Sequence, residues 1–232
     1  MVDSAMKLGQ VPPFAKKGNF LGFRMKILDV ITDSATAVSQ KTQAINRMMA
    51  VDSIMRVNQK ITDDKTLSDR ISKENITAVK TAKGTYVEIK NPGTGAAIDS
   101  GKAISVLYKG MTLDGKVFDQ SYDSSGKPTK PFTFVIGQRG AIEGWEDGIR
   151  MFKNGGSGRL FIPSSLAYGP RGAGADIKPN ESLMFEIQVV DVMSAEQYRK
   201  QMEAQNRLMQ QQQMMQQQQQ IQQQPQPQEQ PR

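Results

Sequence analysis

The chain has 232 residues, no cysteine and no histidine, enough length for one or two domains with a real core. Those two absences exclude disulfides, thiolate nucleophiles, histidine-based triads and nearly all zinc sites. The net charge of +7 is uneven: residues 1–83 carry +6, residues 84–193 are neutral and residues 194–232 carry +1, so the best-organised stretch lacks the positive field of a nucleic-acid enzyme, and no nucleic-acid partner is expected.

In chain order, residues 20–30 (Phe20 to Val30) resemble residues 182–192 (Ser182 to Val192), and Val11-Pro12-Pro13 echoes Lys178-Pro179. The repeat suggests that residues 1–33 are the last piece of a degenerate first copy of the domain that follows; a chance likeness between two amphipathic strands is the alternative. Residues 34–80 read as helical. Val38, Ile45, Met48, Met49 and Met55 recur at roughly helical spacing. Thr62-Asp63-Asp64 predicts a second helix start, with Leu67 and Ile71 four apart behind it. This methionine-rich arm is a candidate partner or dimerisation surface, or else a spacer packed on the domain.

From Gly84 the apolar period changes to two. Strands are predicted at 85–90, 103–113, 117–120, 132–136, 158–162 and 183–193, with Asp114-Gly115 as a hairpin turn and residues 141–152 as the one helix-like piece. The expected fold is α+β: an antiparallel sheet of about five strands wrapped around one short helix. Phe134, Phe161 and Phe185 are expected to face its core together. The helical arm, residues 34–83, precedes this domain of residues 84–193. Residues 194–232 read as a helix started at Ser194 and running through Tyr198, Met202 and Leu208. Glutamine then supplies 17 of the last 32 residues and predicts a disordered tail.

The chemistry-bearing residues are sparse. Trp145, the only tryptophan, lies in Ile142-Glu143-Gly144-Trp145-Glu146-Asp147-Gly148. The glycine-rich Gly169-Pro170-Arg171-Gly172-Ala173-Gly174 lacks the Lys-Ser/Thr ending of a phosphate loop and reads as a mobile loop on a pocket rim. Glu143, Glu146 and Asp147 surround a helix start, where carboxylates are favourable, and no metal is expected there.

Taken together, Val106–Gly110, Asp114–Ser121, Pro131–Phe134, Ile136-Gly137, Ala141–Trp145, Ile162-Pro163, Leu166–Gly169 and Leu183–Glu186 resemble the FKBP-type peptidyl-prolyl isomerases in order and approximate spacing. The resemblance covers residues 84–193. It implies an FKBP-like fold and rotation about X–Pro bonds in protein substrates, assisting protein folding without cofactor, metal or covalent intermediate. It further implies that Trp145 is the pocket floor beneath the proline ring. Tyr108, Phe132 and Tyr168 would be walls, with Phe118 and Ile142 completing the apolar surface and Ile177 capping it. The polar groups at the reacting amide would be the Ile142 N–H, the Tyr168 hydroxyl and the Asp119 carboxylate, grouped with Tyr108 as the catalytic set. On the residues alone, Tyr108 and Asp119 could equally form an ordinary hydrogen bond pinning the hairpin, and Phe118 could be core.

Asp176 and Lys178 stand where the family's rim is more often apolar or proline. Ala141 is small, Gly155–Gly158 is unusually glycine-rich, and Tyr122–Lys130 is longer than in the smallest members. These departures bear on substrate preference and on binding of a macrolide inhibitor. Expected partners are proline-containing unfolded or nascent proteins, and a second copy of the chain through residues 34–80. The rival reading is a proline-peptide binding module or holdase chaperone without useful turnover. No apolar run is long enough for a transmembrane segment. The arm resembles bacterial periplasmic or envelope members, a placement favoured if the N-terminus is truncated; otherwise the cytoplasm is expected, since no leader opens the chain.

Overall fold

The computed structural model describes residues 33–222. The described residues fall into two units that divide between Val51 and Asp52. The repeat-like stretch at 20–30 lies outside the described residues, as does the remnant domain inferred from it.

Helix α1 (Ser34–Lys73) is one uninterrupted element. Asp33 caps it, its Oδ2 accepting from the Thr36 N–H at 2.7 Å. The second start expected at Thr62-Asp63-Asp64 does not occur. Thr62 Oγ1 donates back to the Asn58 carbonyl at 3.0 Å and Thr66 Oγ1 to the Thr62 carbonyl at 2.8 Å, so these hydroxyls serve inside the helix instead of capping a new one. Apolar side chains from Val38 to Ile61, including Met48 and Met55, are exposed. The pattern changes further on: Asp63, Leu67 and Ile71, each four residues apart, are buried along one stripe.

Among the described residues the sheet has seven strands, where about five are expected: β1 (Val79–Lys80), β2 (Tyr86–Asn91), β3 (Lys102–Thr112), β4 (Val117–Gln120), β5 (Phe132–Val135), β6 (Ser157–Ile162) and β7 (Leu183–Ser194). Their order is β1-β2-β6-β7-β3-β4, with β5 also on β3, and every pairing is antiparallel. The long β3–β7 ladder runs from Lys102↔Ser194 to Thr112↔Leu183 and forms its spine. Helix α2 (Glu143–Gly148) continues into a 3-10 turn at Ile149–Met151. It contributes Trp145 and Ile149 to a core with Ile104, Val106, Leu160, Ile162, Leu183 and Phe185. A second apolar cluster joins Leu67 and Ile71 of α1 to Met111, Phe161 and Met184. The two clusters take alternate residues of β6, so opposite faces of the sheet are covered by different helices. Phe161 therefore does not share a face with Phe134 and Phe185, as the sequence had suggested; it packs toward α1.

Helix α3 (Ala195–Gln222) begins with a reciprocal cap, Gln197 N–H to Ser194 Oγ at 3.1 Å and Ser194 N–H to Gln197 Oε1 at 2.8 Å. It extends well past Leu208 into the glutamine run expected to be disordered. Glutamine is a good helix former, and the first proline comes only at Pro225. Among the described residues no helix is long and apolar enough to cross a membrane.

Candidate active site

A cavity of about 350 Å³ opens between α2, the β3–β4 hairpin, the start of β5 and the segment after β6. Its least exposed lining residue is Trp145, at 3%. Three rings meet the indole nearly edge-on: Tyr108 at 5.2 Å, Phe185 at 5.3 Å and Phe132 at 5.9 Å between centroids. Such edge-to-face pairs complement the ring quadrupoles. The indole N–H is buried and has no partner among the described residues, so its position is set by these rings rather than by a hydrogen bond.

The floor reaches this depth because α2 sits very close to β6. A Cβ at Gly144 would lie 2.2 Å from Ile162 Cγ2, so only glycine allows the approach. Polar ties hold the short helix in place. Thr85 Oγ1 donates to the Gly144 carbonyl at 3.3 Å, the Gly137 N–H donates to Glu146 Oε2 at 3.1 Å, Lys83 pairs with Glu143 at 2.6 Å and Thr81 donates to Asp147. The acidic trio at this helix start is thus engaged with neighbouring side chains and backbone.

Opposite the floor, the hairpin brings Tyr108 of β3 beside Asp119 of β4, and the phenol donates to Asp119 Oδ2. Burial first, then this carboxylate, pushes the Tyr108 phenol well above its ordinary range, so it stays a neutral donor. Tyr168 lies 39% exposed at the rim, and its hydroxyl has no partner among the described residues. Its ionisation is also raised, by burial and then by the charge of Asp119. Ile142 precedes α2 in an extended conformation. Its carbonyl accepts from the Trp145 and Glu146 N–H groups, while its own N–H makes no hydrogen bond among the described residues.

Seven of the residues singled out from the sequence therefore line one cavity: Tyr108, Phe118, Asp119, Phe132, Ile142, Trp145 and Tyr168. Ile177 does not. It is 6% exposed within the core, its backbone exchanging hydrogen bonds with Ala173 at 2.9 and 3.1 Å, so it braces the rim loop from beneath instead of capping the pocket. Gly140, Ala141 and Phe185 also line the cavity. Phe185, expected in the core, serves both places: it is 4% exposed, yet its ring borders Trp145 and Phe118. Asp176, one of the departures at the rim, pairs with Lys116 at 2.8 Å. The lining is thus aromatic, with one carboxylate, two phenols and an unpaired backbone N–H. It can desolvate an apolar ring and offer a few hydrogen bonds, but it holds no activated nucleophile.

Residues 95–190 match the family model for FKBP-type peptidyl-prolyl cis-trans isomerase. The chain is 37% identical over 132 residues to the outer membrane protein MIP of Legionella longbeachae, covering 57% of this chain and 53% of that protein. It is 36% identical over 125 residues to the probable FKBP-type peptidyl-prolyl cis-trans isomerase FkpA of Neisseria meningitidis serogroup B, covering 54% and 44%. The crystal structure of FkpA from Escherichia coli is 28% identical, covers 71% of this chain and 75% of that one, and superposes with a TM-score of 0.49. The chain spans from about a quarter to about half the length of the first curated relatives it matches. Within that limit, residues 95–190 are an FKBP-type peptidyl-prolyl cis-trans isomerase domain.

Proposed function

We propose that this protein accelerates rotation about X–Pro peptide bonds in unfolded or nascent proteins and so assists their folding. The observation that carries the reading is the aromatic cavity floored by Trp145. Rotation about a peptide bond meets a barrier of about 18–20 kcal/mol, and X–Pro exchange takes tens to hundreds of seconds at room temperature. No bond need break. The twisted amide has lost C–N double-bond character and carries less charge separation than the planar one, so transfer from water into an apolar site favours it selectively. Each ~1.4 kcal/mol of such selective stabilisation is worth about tenfold in rate.

In this scheme the proline ring lies on Trp145, walled by Tyr108, Phe132 and Phe185. The free Ile142 N–H holds a substrate carbonyl, and the unpaired Tyr168 hydroxyl supplies a second donor. Asp119, held in place by Tyr108, sits near the twisting amide. The same apolar lining suits a macrolide, which would act as a competitor. The test is exchange of a short X–Pro peptide followed by NMR: acceleration is expected, with loss in Asp119→Ala, and no acceleration by folded wild-type protein refutes the reading.

The exposed apolar residues of α1, Met48 at 71% among them, favour a second role in holding unfolded clients or a second copy of the chain. Suppressed aggregation of a proline-free client, undiminished in Asp119→Ala, would support the holdase role. A mass in sedimentation equilibrium above 25.7 kDa that returns to the monomer when Met48 and Met55 become Gln would support the dimer. The match to an outer membrane protein supports placement in a bacterial envelope.

A further inference from the structure

Asp63 is 3% exposed, and among the described residues no lysine or arginine pairs with it. A carboxylate taken out of water is unfavourable unless its oxygens are hydrogen-bonded. Here Oδ1 accepts from Gln59 Nε2 at 2.8 Å, and Oδ2 accepts from Ser164 Oγ at 2.6 Å and from the Ser165 N–H at 3.4 Å. If the only task were to dock α1 on the sheet, an apolar residue continuing the Leu67–Ile71 stripe would bury more apolar surface at no desolvation cost. The position of its partners supplies another reason.

Ser164 is fully buried and opens the 3-10 turn Ser164–Leu166, which follows the end of β6 and leads into Tyr168. Local bonds close that turn, Leu166 N–H to the Pro163 carbonyl at 2.9 Å and Ala167 N–H to the Ser164 carbonyl at 3.0 Å. Among the described residues, the only hydrogen bonds tying residues 163–168 to a distant part of the chain are the two to Asp63. Tyr168 is half-exposed, and its hydroxyl has no partner among the described residues; the chain after it is tied at Gly169, whose carbonyl accepts from the Asn180 N–H at 2.8 Å, so on the side before it the Asp63 bonds are the long-range tie. We propose that Asp63 is a positioning residue: through the Ser164 turn it fixes where Tyr168 stands at the pocket rim, making the long helix part of the support of the site.

This inference rests on the isomerase reading for its consequence, and its test separates the two. In the full chain, kcat and KM for an X–Pro peptide are measured for Ser164→Ala, Asp63→Ala and Asp63→Asn, each with Tyr168 present and in a Tyr168→Ala background. Displacing a wall group lowers kcat/KM, here by about five- to twentyfold in Ser164→Ala and Asp63→Ala. Asp63→Asn, which keeps an oxygen for Ser164, stays within about twofold of wild type. In the Tyr168→Ala background neither loss appears, because groups acting through one another are non-additive. Equal losses in both backgrounds, or no loss with Tyr168 present, overturn the proposal. Ser164→Ala, which removes one hydroxyl, carries the test if Asp63→Ala fails to fold. If the wild type shows no isomerase activity the functional reading falls, and amide exchange still decides the positioning claim. Faster exchange at residues 165–172 in Ser164→Ala, with β6 unchanged, supports it, and unchanged exchange overturns it.

Discussion

Gly144→Ala tests whether the depth of the pocket floor comes from the close approach of α2 to β6. The new Cβ would lie 2.2 Å from Ile162 Cγ2, against an ordinary carbon–carbon contact of about 3.5–4.0 Å, so helix and strand must part by about 1.3–1.8 Å. Ile162 cannot yield easily. It is fully buried, its β-branch is stiff at χ1, and its backbone is laddered between β2 and β7 through its neighbours. Trp145 follows Gly144 directly and must move with it. A misplacement of about 1 Å can lower a rate about a hundredfold, and forced overpacking costs about 1–3 kcal/mol, a fall in Tm of about 2–12 °C for a unit of this size. Without the clash the sign would reverse, since alanine in a helix is favoured over glycine by about 1 kcal/mol. The assays are X–Pro peptide exchange and thermal melting by circular dichroism. Ile162→Ala removes the opposing methyl, and the double variant should recover most of the rate lost by Gly144→Ala. A Gly144→Ala protein with kcat/KM within threefold of wild type, or a loss that Ile162→Ala leaves in place, refutes the reasoning.

Other measurements probe the pocket and its supports. Trp145 is the only tryptophan, so its emission should shift when an X–Pro peptide enters; a saturating peptide that leaves the spectrum unchanged contradicts the pocket assignment. The raised ionisation of Tyr108 means the fold favours its neutral form. That contribution is fully present below the unfolded phenol pKa of about 10 and is lost as pH rises through the folded value. Denaturant unfolding of wild type should therefore show stability declining above about pH 10, with a shallower decline in Tyr108→Phe; equal slopes would show that this phenol does not contribute. Leu67→Ala should lower stability by about 2–5 kcal/mol, because the side chain is fully buried against Phe161 and Met184. A change below about 0.5 kcal/mol in urea unfolding would mean that this part of α1 does not pack on the sheet in solution.

The strands and the hairpin were legible because apolar residues alternate there, and turn residues such as Asp114-Gly115 mark the ends. The limits were physical. In Leu160-Phe161-Ile162 all three residues are apolar, since both faces of β6 are covered, and alternation cannot say which residue faces which helix. The role of Asp63 is hidden for a related reason. Thr-Asp-Asp looks like a helix cap, and only the tertiary partner Ser164, 101 residues on, reveals a buried acceptor inside a continuous helix. The resemblance places Ile177 in the pocket, whereas the rim loop folds it inward. The low apolar content of the glutamine run bears on burial, whereas a solvated helix depends more on propensity and an early cap. Tyr108, Phe118, Asp119, Phe132, Ile142, Trp145 and Tyr168 line one cavity because the motifs fix them to the hairpin, the start of β5, α2 and the segment after β6, whose relative placement is dictated by the sheet.

That placement gives α1 a share in both sides of the pocket. Asp63 grips the turn leading to Tyr168 at the rim, and the next residue, Asp64, accepts from the Tyr86 hydroxyl at 2.7 Å and pairs with Lys80. Those bonds, Lys80 first and then Tyr86, hold the Asp64 carboxyl below its ordinary range. Lys80 ends β1, and the next residue, Thr81, donates to Asp147 of α2, while Thr85 reaches the Gly144 carbonyl beside Trp145. Two consecutive acidic residues on one helix thus lead by short chains of hydrogen bonds to the rim and to the floor. Because successive helical residues point about 100° apart, one carboxylate can enter the protein while its neighbour stays at the surface. This explains why Asp63 is buried and hydrogen-bonded to serines whereas Asp64 remains half-exposed and paired with a lysine. The helix therefore belongs to the scaffold of the site, and its apolar stripe at Leu67 and Ile71 supplies the burial that keeps both carboxylates in register with their partners.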